Sequence, residues 1–420
     1  MEYFKAHVDG EVIYIIRDPR TWMRVSSGHA EQVERMLTSN DPAIARSLKE
    51  IAKVPRLPGR EHLALYPVVK LTNRCNLTCP HCYLEAPGSM RRGKFDLGYR
   101  EVKAFIDYII ALGRAMKNSP RTLQLFGGEP TINKDFANIL RYARNQGLMV
   151  RVSTNAVNSK TFQSEAFSEF YADRGIEWRV SLDSHVREVH DRFRPRSFER
   201  VVTNVRYMAD RGAFLSIKAV IGSHNVGSFI DTIYFARELG ATQFLYSPLS
   251  ITGAAARMSL LNKVTTRMIT EKIVAAIERD AGLGTFLQSS PLARYLKLIY
   301  TRDAGILPRV QFHINHDGRV CPQDNLFEYP DTHFGDIAVG DYAFPRLCEY
   351  QALLEEPLAC KACPVSHYCP RGDYADLAAA GLDSAEEFSV CDDIRDNIVY
   401  LMSLGQRGVA LAATVFGQPR

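Results

Sequence analysis

Three cysteines stand close together in Cys75-Asn-Leu-Thr-Cys79-Pro-His-Cys82, a CxxxCxxC spacing on a stretch that reads as a loop. Three thiolates can hold three irons of a cubane iron-sulfur cluster, and the fourth iron is then open to chelate a substrate. An open coordination position implies chemistry, as it does at catalytic zinc. The same spacing suits a zinc site or a structural cluster completed by a fourth ligand elsewhere, with His81 the nearest donor. Six more cysteines, Cys321, Cys348, Cys360, Cys363, Cys369 and Cys391, lie far along the chain. Nine in two clusters fit metal ligation better than a disulfide framework.

Such a loop needs a scaffold. Apolar runs rich in branched residues at 67–72, 122–127, 148–154, 176–183, 214–221 and 242–247 alternate with stretches of helical period. Within 99–116, for example, Val102, Ile106 and Ile109 share a face. Six strand-helix units predict an α/β fold, a partial (β/α)6 parallel TIM-like barrel over 63–255, with chemistry at the C-terminal strand ends. Before it, 1–62 alternates around Val12–Ile16 and turns helix-like from His29 to Ile51, which predicts a small N-terminal α+β domain. After it come a helical connector at 256–308, with a helix from Arg267 to Arg279, a C-terminal cysteine-rich iron-sulfur domain at 309–400 and an apolar tail at 401–420.

The strand ends carry further groups in order. Phe126-Gly127-Gly128-Glu129-Pro130 ends the second strand, where glycines permit close backbone approach and Glu129 offers a carboxylate to an ammonium. Ser153-Thr154-Asn155 ends the third and Val180-Ser181-Leu182-Asp183 the fourth, followed by Arg192 and Arg194, guanidinium groups suited to a carboxylate. Over about 66–250 this series resembles the radical S-adenosylmethionine (SAM) superfamily: its cysteine loop, with His81 at the aromatic position, its GGE segment, its TN pair, its S-x-D segment and its following basic position. The resemblance implies a 4Fe-4S cluster on Cys75, Cys79 and Cys82. It also implies SAM held by His81, Gly127, Gly128, Glu129, Thr154, Asn155, Ser181, Asp183, Arg192 and Arg194, and cleavage to a 5'-deoxyadenosyl radical that abstracts a hydrogen atom.

Cys360-x2-Cys363-x5-Cys369 with the distant Cys391 resembles the SPASM or twitch extension of that superfamily, which implies at least one auxiliary iron-sulfur cluster; a zinc ribbon is the other reading. Asp373 stands where a further cysteine is usual, and Cys321 lacks its upstream cysteine, so a second cluster has only Cys321, Cys348 and Asp373 as candidate ligands. Cys348 reads equally as a core thiol. Phe334-Gly335-Asp336-Ile337 resembles the extension's turn, and Asp324 lies near where sulfatase-maturing relatives place a catalytic aspartate.

A formal charge of +5, from 52 basic and 47 acidic residues, gives no electrostatic case for nucleic acid. No apolar run approaches the roughly 20 residues of a membrane span and the N-terminus has no signal-peptide core, so a cytoplasmic chain is expected. The resemblance points to a substrate that is a ribosomally made precursor peptide, crosslinked, cyclised or epimerised, and to a reductant such as flavodoxin or ferredoxin. Residues 1–62 offer an exposed edge for a leader peptide by strand addition, or a wing that caps the barrel. Alternatives are sulfatase-maturase-like action, a small-molecule or tetrapyrrole substrate, an iron-sulfur electron carrier and a zinc-binding interaction module.

Overall fold

The alternation seen near the N-terminus folds as three antiparallel strands, β1 (Tyr3–Val8), β2 (Glu11–Ile16) and β3 (Thr21–Ser26), in that spatial order. Val12, Tyr14 and Ile16 point to one face and are sealed by Leu37 of α1 (Ala30–Thr38) and Leu48 of α2 (Pro42–Ile51). The buried Tyr14 hydroxyl donates to the Ala30 carbonyl at 3.1 Å, so its polar atom is satisfied where its ring packs. This computed structural model describes residues 2–17, 21–39, 41–51, 64–84, 96–118, 120–249, 254–255, 263–301, 309–327, 330–355, 363–369 and 385–417.

The barrel follows as β4 (Ala64–Lys70), α3 (Tyr99–Ala115), β5 (Thr122–Phe126), α4 (Phe136–Asn145), β6 (Met149–Thr154), short helical turns α5 (Ser159–Phe162) and α6 (Glu165–Ser168), β7 (Ile176–Ser181), α7 (Arg187–Phe193), α8 (Phe198–Ala209), β8 (Phe214–Ile221), α9 (Phe229–Glu238) and β9 (Gln243–Pro248). The strands β4 to β9 are parallel and adjacent in sequence order. All six lie where the apolar runs predict them, and the partial-barrel architecture stands.

Trp178 shows which way this sheet faces. Its indole packs among Phe136, Phe162, Phe167 and Tyr171 at ring distances of 5.7 to 6.4 Å, on the helix-covered side. Because strand residues alternate, Glu177, Arg179 and Ser181 point the other way, into the barrel. The register carries this inner face to Arg151 and Ser153 of β6 and to Ser216 and Lys218 of β8.

Next come α10 (Thr266–Arg279), α11 (Gly282–Phe286) and α12 (Pro291–Leu296), matching the expected connector helix. Then β10 (Arg309–Ile314) pairs in parallel with β4, and β11 (Arg319–Cys321) and β12 (Gly335–Asp336) continue antiparallel, giving the sheet nine strands. Val310, Phe312 and Ile314 alternate like a barrel strand, and Phe312 packs at a tilt against Phe105 of α3 and stacks on Phe344 of α13 (Phe344–Glu355). Two helices end the described chain, α14 (Ala385–Ser403) and α15 (Gln406–Phe416). No single helix among the described residues is long and apolar enough to cross a membrane.

The chain forms two compact units. One gathers Gly59–Val264 with Pro308–Leu353; the other gathers Met1–Pro58, Thr265–Leu307 and Leu354–Arg420. The segment 309–353, expected in the cysteine-rich domain, thus sits with the barrel, while β1 and β2 pack on α14. In the second unit the Asp393 carboxylate accepts from the Thr266 backbone N–H at 2.9 Å and its hydroxyl at 2.5 Å, fixing the start of α10.

Candidate active site

The cysteine loop leaves β4 at Leu71, whose N–H donates to the Phe126 carbonyl at 2.8 Å. Gly128 N–H then donates to Thr72 at 2.9 Å and Glu129 N–H to Arg74 at 2.8 Å, so the GGE turn grips the loop backbone to backbone. A Cβ at Gly128 would lie 2.2 Å from the Arg74 carbonyl oxygen and 3.0 Å from Cys75 Cβ; one at Gly127 would lie 2.7 Å from the Thr72 carbonyl oxygen. Both glycines are required by this contact. An Arg74–Asp96 ion pair and a Thr72–Asp96 hydrogen bond brace the loop, and Ala254 N–H donates to the Cys82 carbonyl at 2.9 Å.

Glu129 is 1% exposed. Its Oε1 accepts from the Thr131 and Thr154 hydroxyls, each at 2.7 Å, and its Oε2 from the Asn155 N–H at 2.8 Å. The sequence offers this carboxylate to an ammonium; the structure spends most of its accepting capacity on tying β5 to β6. Burial raises its pKa, with these hydrogen bonds opposing. Asn155 then reaches the cysteine loop, with Nδ2 2.7 Å from Asn76 Oδ1 and 3.8 Å from Cys75 Sγ.

Asp183 and Arg194 are paired with each other. Arg194 Nε donates to Asp183 Oδ2 at 2.7 Å, Val220 N–H donates to Oδ1 at 2.9 Å, and His81 Nε2 lies 3.3 Å from Oδ2. Burial alone would raise the Asp183 carboxyl, yet Arg194 and His81 hold it well below the usual range. Burial disfavours the Arg194 charge too, but Asp183 and the Cys79 and Cys82 thiols raise its pKa above the ordinary value. Both arginines were expected to serve a ligand carboxylate; Arg192 is exposed on α7, and Arg194, past the helix end, turns inward onto Asp183. Ser181 stays on the inner face.

Three residues here had not been singled out. His224, just past β8, stacks on Phe193 at 3.6 Å, and burial lowers its pKa to about 4. Lys70 closes β4 fully buried, its ammonium 5.4 Å from the Phe327 ring. Tyr83 donates to Asp324 Oδ2 at 2.9 Å, which brings the expected catalytic aspartate to the cysteine loop. A basic residue ending an apolar run, as in Val68-Val69-Lys70, is the sequence signal for the second; the other two leave none.

Burial pushes the Cys75 thiol up to about 12, with Glu129 and the other two thiols adding to it. Cys79 and Cys82 are raised by burial as well, with Arg194 opposing in both and Lys70 also at Cys82. Three close thiols with cations beside them, a buried His81 Nδ1 lacking a hydrogen-bond partner among the described residues, and an amide aimed at one sulfur are a donor set that fits an anionic iron-sulfur cluster. Among the described residues no three histidine, cysteine or carboxylate groups are arranged to hold a single metal ion.

Cys321 and Cys348 belong to the barrel unit, and Cys363, Cys369 and Cys391 to the other unit. Cys321 is fully buried on the inner face among Val68, Phe126 and Phe327, whereas Cys348 lies on α13 beside Tyr108 of α3, on the helix side of the same sheet. The structure therefore does not bring Cys321 and Cys348 together as a ligand pair, because the sheet lies between them. Cys363 and Cys369 are half-buried, Cys369 near Tyr295 of α12, and Cys391 is exposed on α14. Cys360 and Asp373 lie outside the described residues.

Residues 69–236 match the model of the radical SAM superfamily. The AdoMet-dependent heme synthase of Methanosarcina barkeri is 31% identical over 178 residues, covering 42% of this chain and 48% of that protein. The antilisterial bacteriocin subtilosin biosynthesis protein AlbA of Bacillus subtilis is 29% identical over 187 residues, covering 44% and 39%. The chain thus spans about half the length, or less, of these curated relatives. Among solved structures, Streptococcus suis SuiB bound to precursor peptide SuiA superposes with a TM-score of 0.57 at 15% identity, over 88% of this chain and 93% of that one.

Proposed function

On the match of residues 69–236 to the radical SAM superfamily model we propose that this chain is a radical SAM enzyme, which cleaves SAM reductively and removes a hydrogen atom from a side chain of a ribosomally made precursor peptide. The observation that carries the reading is the convergence of Cys75, Cys79 and Cys82 with the ends of β5, β6 and β7 in one buried site. When bound, a four-iron cluster on these thiolates and SAM on its open iron supply the electron and the carbon radical.

The chain's own residues position and shield. Gly127 and Gly128 let the turn after β5 lie against the cysteine loop, and Glu129 fixes the Asn155 backbone N–H, while the Asn155 side-chain amide faces Cys75. Arg194, Lys70 and the Asn155 amide offset the negative charge that three thiolates bring to a buried place. His81, oriented by Asp183, keeps Nδ1 for a ligand atom. Asp324, held by Tyr83, is the candidate acceptor for a substrate proton.

The similarity to AlbA supports a peptide substrate. The outer edges of β1 and β3 suit a leader peptide by strand addition. Cys360, Cys363, Cys369 and Cys391 would hold an auxiliary cluster that relays electrons from a flavodoxin- or ferredoxin-type reductant. The similarity to the heme synthase favours a second reading, a tetrapyrrole substrate.

Anaerobic reconstitution with iron and sulfide, then dithionite and SAM, tests the proposal. Wild type should form 5'-deoxyadenosine, and the Cys75→Ala/Cys79→Ala/Cys82→Ala variant should lose all of it together with about four irons. Fully loaded wild type that makes no deoxyadenosine would end the enzyme reading.

A further inference from the structure

A closed parallel barrel fills its interior with packed apolar side chains. Here the inner face carries Gln124, Arg151, Glu177, Arg179, Ser216 and Gln243, a polar lining of which Gln124, Arg151 and Arg179 are half-buried and the rest buried. Glu177 is the centre of it and is 2% exposed. Its Oε1 accepts from Arg179 Nε at 2.7 Å, Ser216 Oγ at 2.7 Å and Gln243 Nε2 at 3.0 Å; its Oε2 accepts from Arg151 Nε at 3.1 Å and an Arg179 terminal nitrogen at 3.2 Å.

That carboxylate is saturated, and it answers two guanidinium groups with one negative charge. Both terminal nitrogens of Arg151 and one of Arg179 have no acceptor among the described residues. The two side chains keep 28% and 19% of their surface accessible, so the donors remain reachable. A planar guanidinium with spare donors in a half-buried, water-poor place selects a carboxylate. Arg179 stands two residues, roughly 7 Å, inside the end of β7, in register through Ser153 and Phe126 with Lys70, the last residue of β4 before the cysteine loop.

We propose that Arg151 and Arg179 anchor a carboxylate of the substrate within the barrel, so that the peptide segment acted upon is acidic. This rests on the radical SAM reading with a peptide substrate. An aspartate or glutamate side chain and a chain-terminal carboxylate share the chemistry.

Three random heptapeptide pools test it on the reconstituted protein with SAM: central Glu with an amidated end, central Gln with an amidated end, and central Gln with a free carboxylate end. Bound peptides are counted by mass spectrometry. Wild type should enrich one carboxylate pool about tenfold over the neutral pool, and which pool it is identifies the source. Arg151→Gln/Arg179→Gln should bring the ratio to about one. Glu177→Gln, which removes the internal competitor, should raise it above wild type, an effect misfolding does not imitate; iron content and melting temperature accompany each variant. A wild-type ratio near one, an unchanged ratio in the double variant, or a fall in Glu177→Gln overturns the proposal. Deoxyadenosine formation by wild type is read separately, so formation with a ratio of one sinks the anchor and leaves the radical reading standing.

Discussion

At Gly128 a single hydrogen atom separates a working loop contact from a collision. Alanine there would put Cβ 2.2 Å from a backbone oxygen that has no freedom to move away. Gly128→Ala should therefore displace Cys75, cost roughly 1–3 kcal/mol and lower the iron bound on reconstitution, read from iron-to-protein ratio and melting temperature. Asp183→Asn removes the anion that compensates buried Arg194. We expect a loss of roughly 3 kcal/mol, and a variant as stable as wild type would show that water or another group already serves Arg194. Residue types that chemistry demands were legible here: cysteine spacing, paired glycines, an acid and a base after β7. Their partners were not, because whether Asp183 meets a ligand or Arg194 depends on the turn that ends α7. The same turn separates Arg192 from Arg194, two positions apart and opposite in environment.

Strands and helices were the most legible level, since β-branched runs and helical periods are local properties, and each barrel strand lies within a few residues of its expected place. The exception is β10, whose alternation in Val310, Phe312 and Ile314 is as clear as any but whose pairing with β4 spans more than two hundred residues of chain. Trp178 tests the outer layer. Trp178→Ala should cost roughly 3–5 kcal/mol, whereas Trp178→Phe should cost less than about 1.5 kcal/mol because it also removes a buried indole N–H with no partner among the described residues; denaturant melts compare the two. The inner layer should titrate. Burial works to raise the Glu177 carboxyl, but Arg179, with Ser216 and Arg151, holds it below its ordinary 4.5. A lowered folded-state pKa means stability that is present above about pH 4.5 and is lost as pH falls through the lowered value. Melting temperature should thus fall more steeply between about pH 5 and pH 3 in wild type than in Glu177→Gln.

On the scale of the whole molecule, periodicity names elements but not which distant segments share a core, and each of the two compact units is built from interleaved stretches of the chain. Deleting residues 1–58 should uncover the face of α14 that β1 and β2 pack against and leave a chain that aggregates, measured by light scattering; a monodisperse product would show that this packing is dispensable. The interleaving also sets a timetable at the ribosome. The sheet of β1 to β3 meets α14 only after more than three hundred further residues, on the order of 20 to 70 s later at ordinary elongation rates. Over most of that interval β4 has an open flank, since β10 arrives late, and an unpaired parallel strand edge is a site of misassociation. The nascent chain has every reason to engage a chaperone, and slowing translation should worsen its yield rather than improve it.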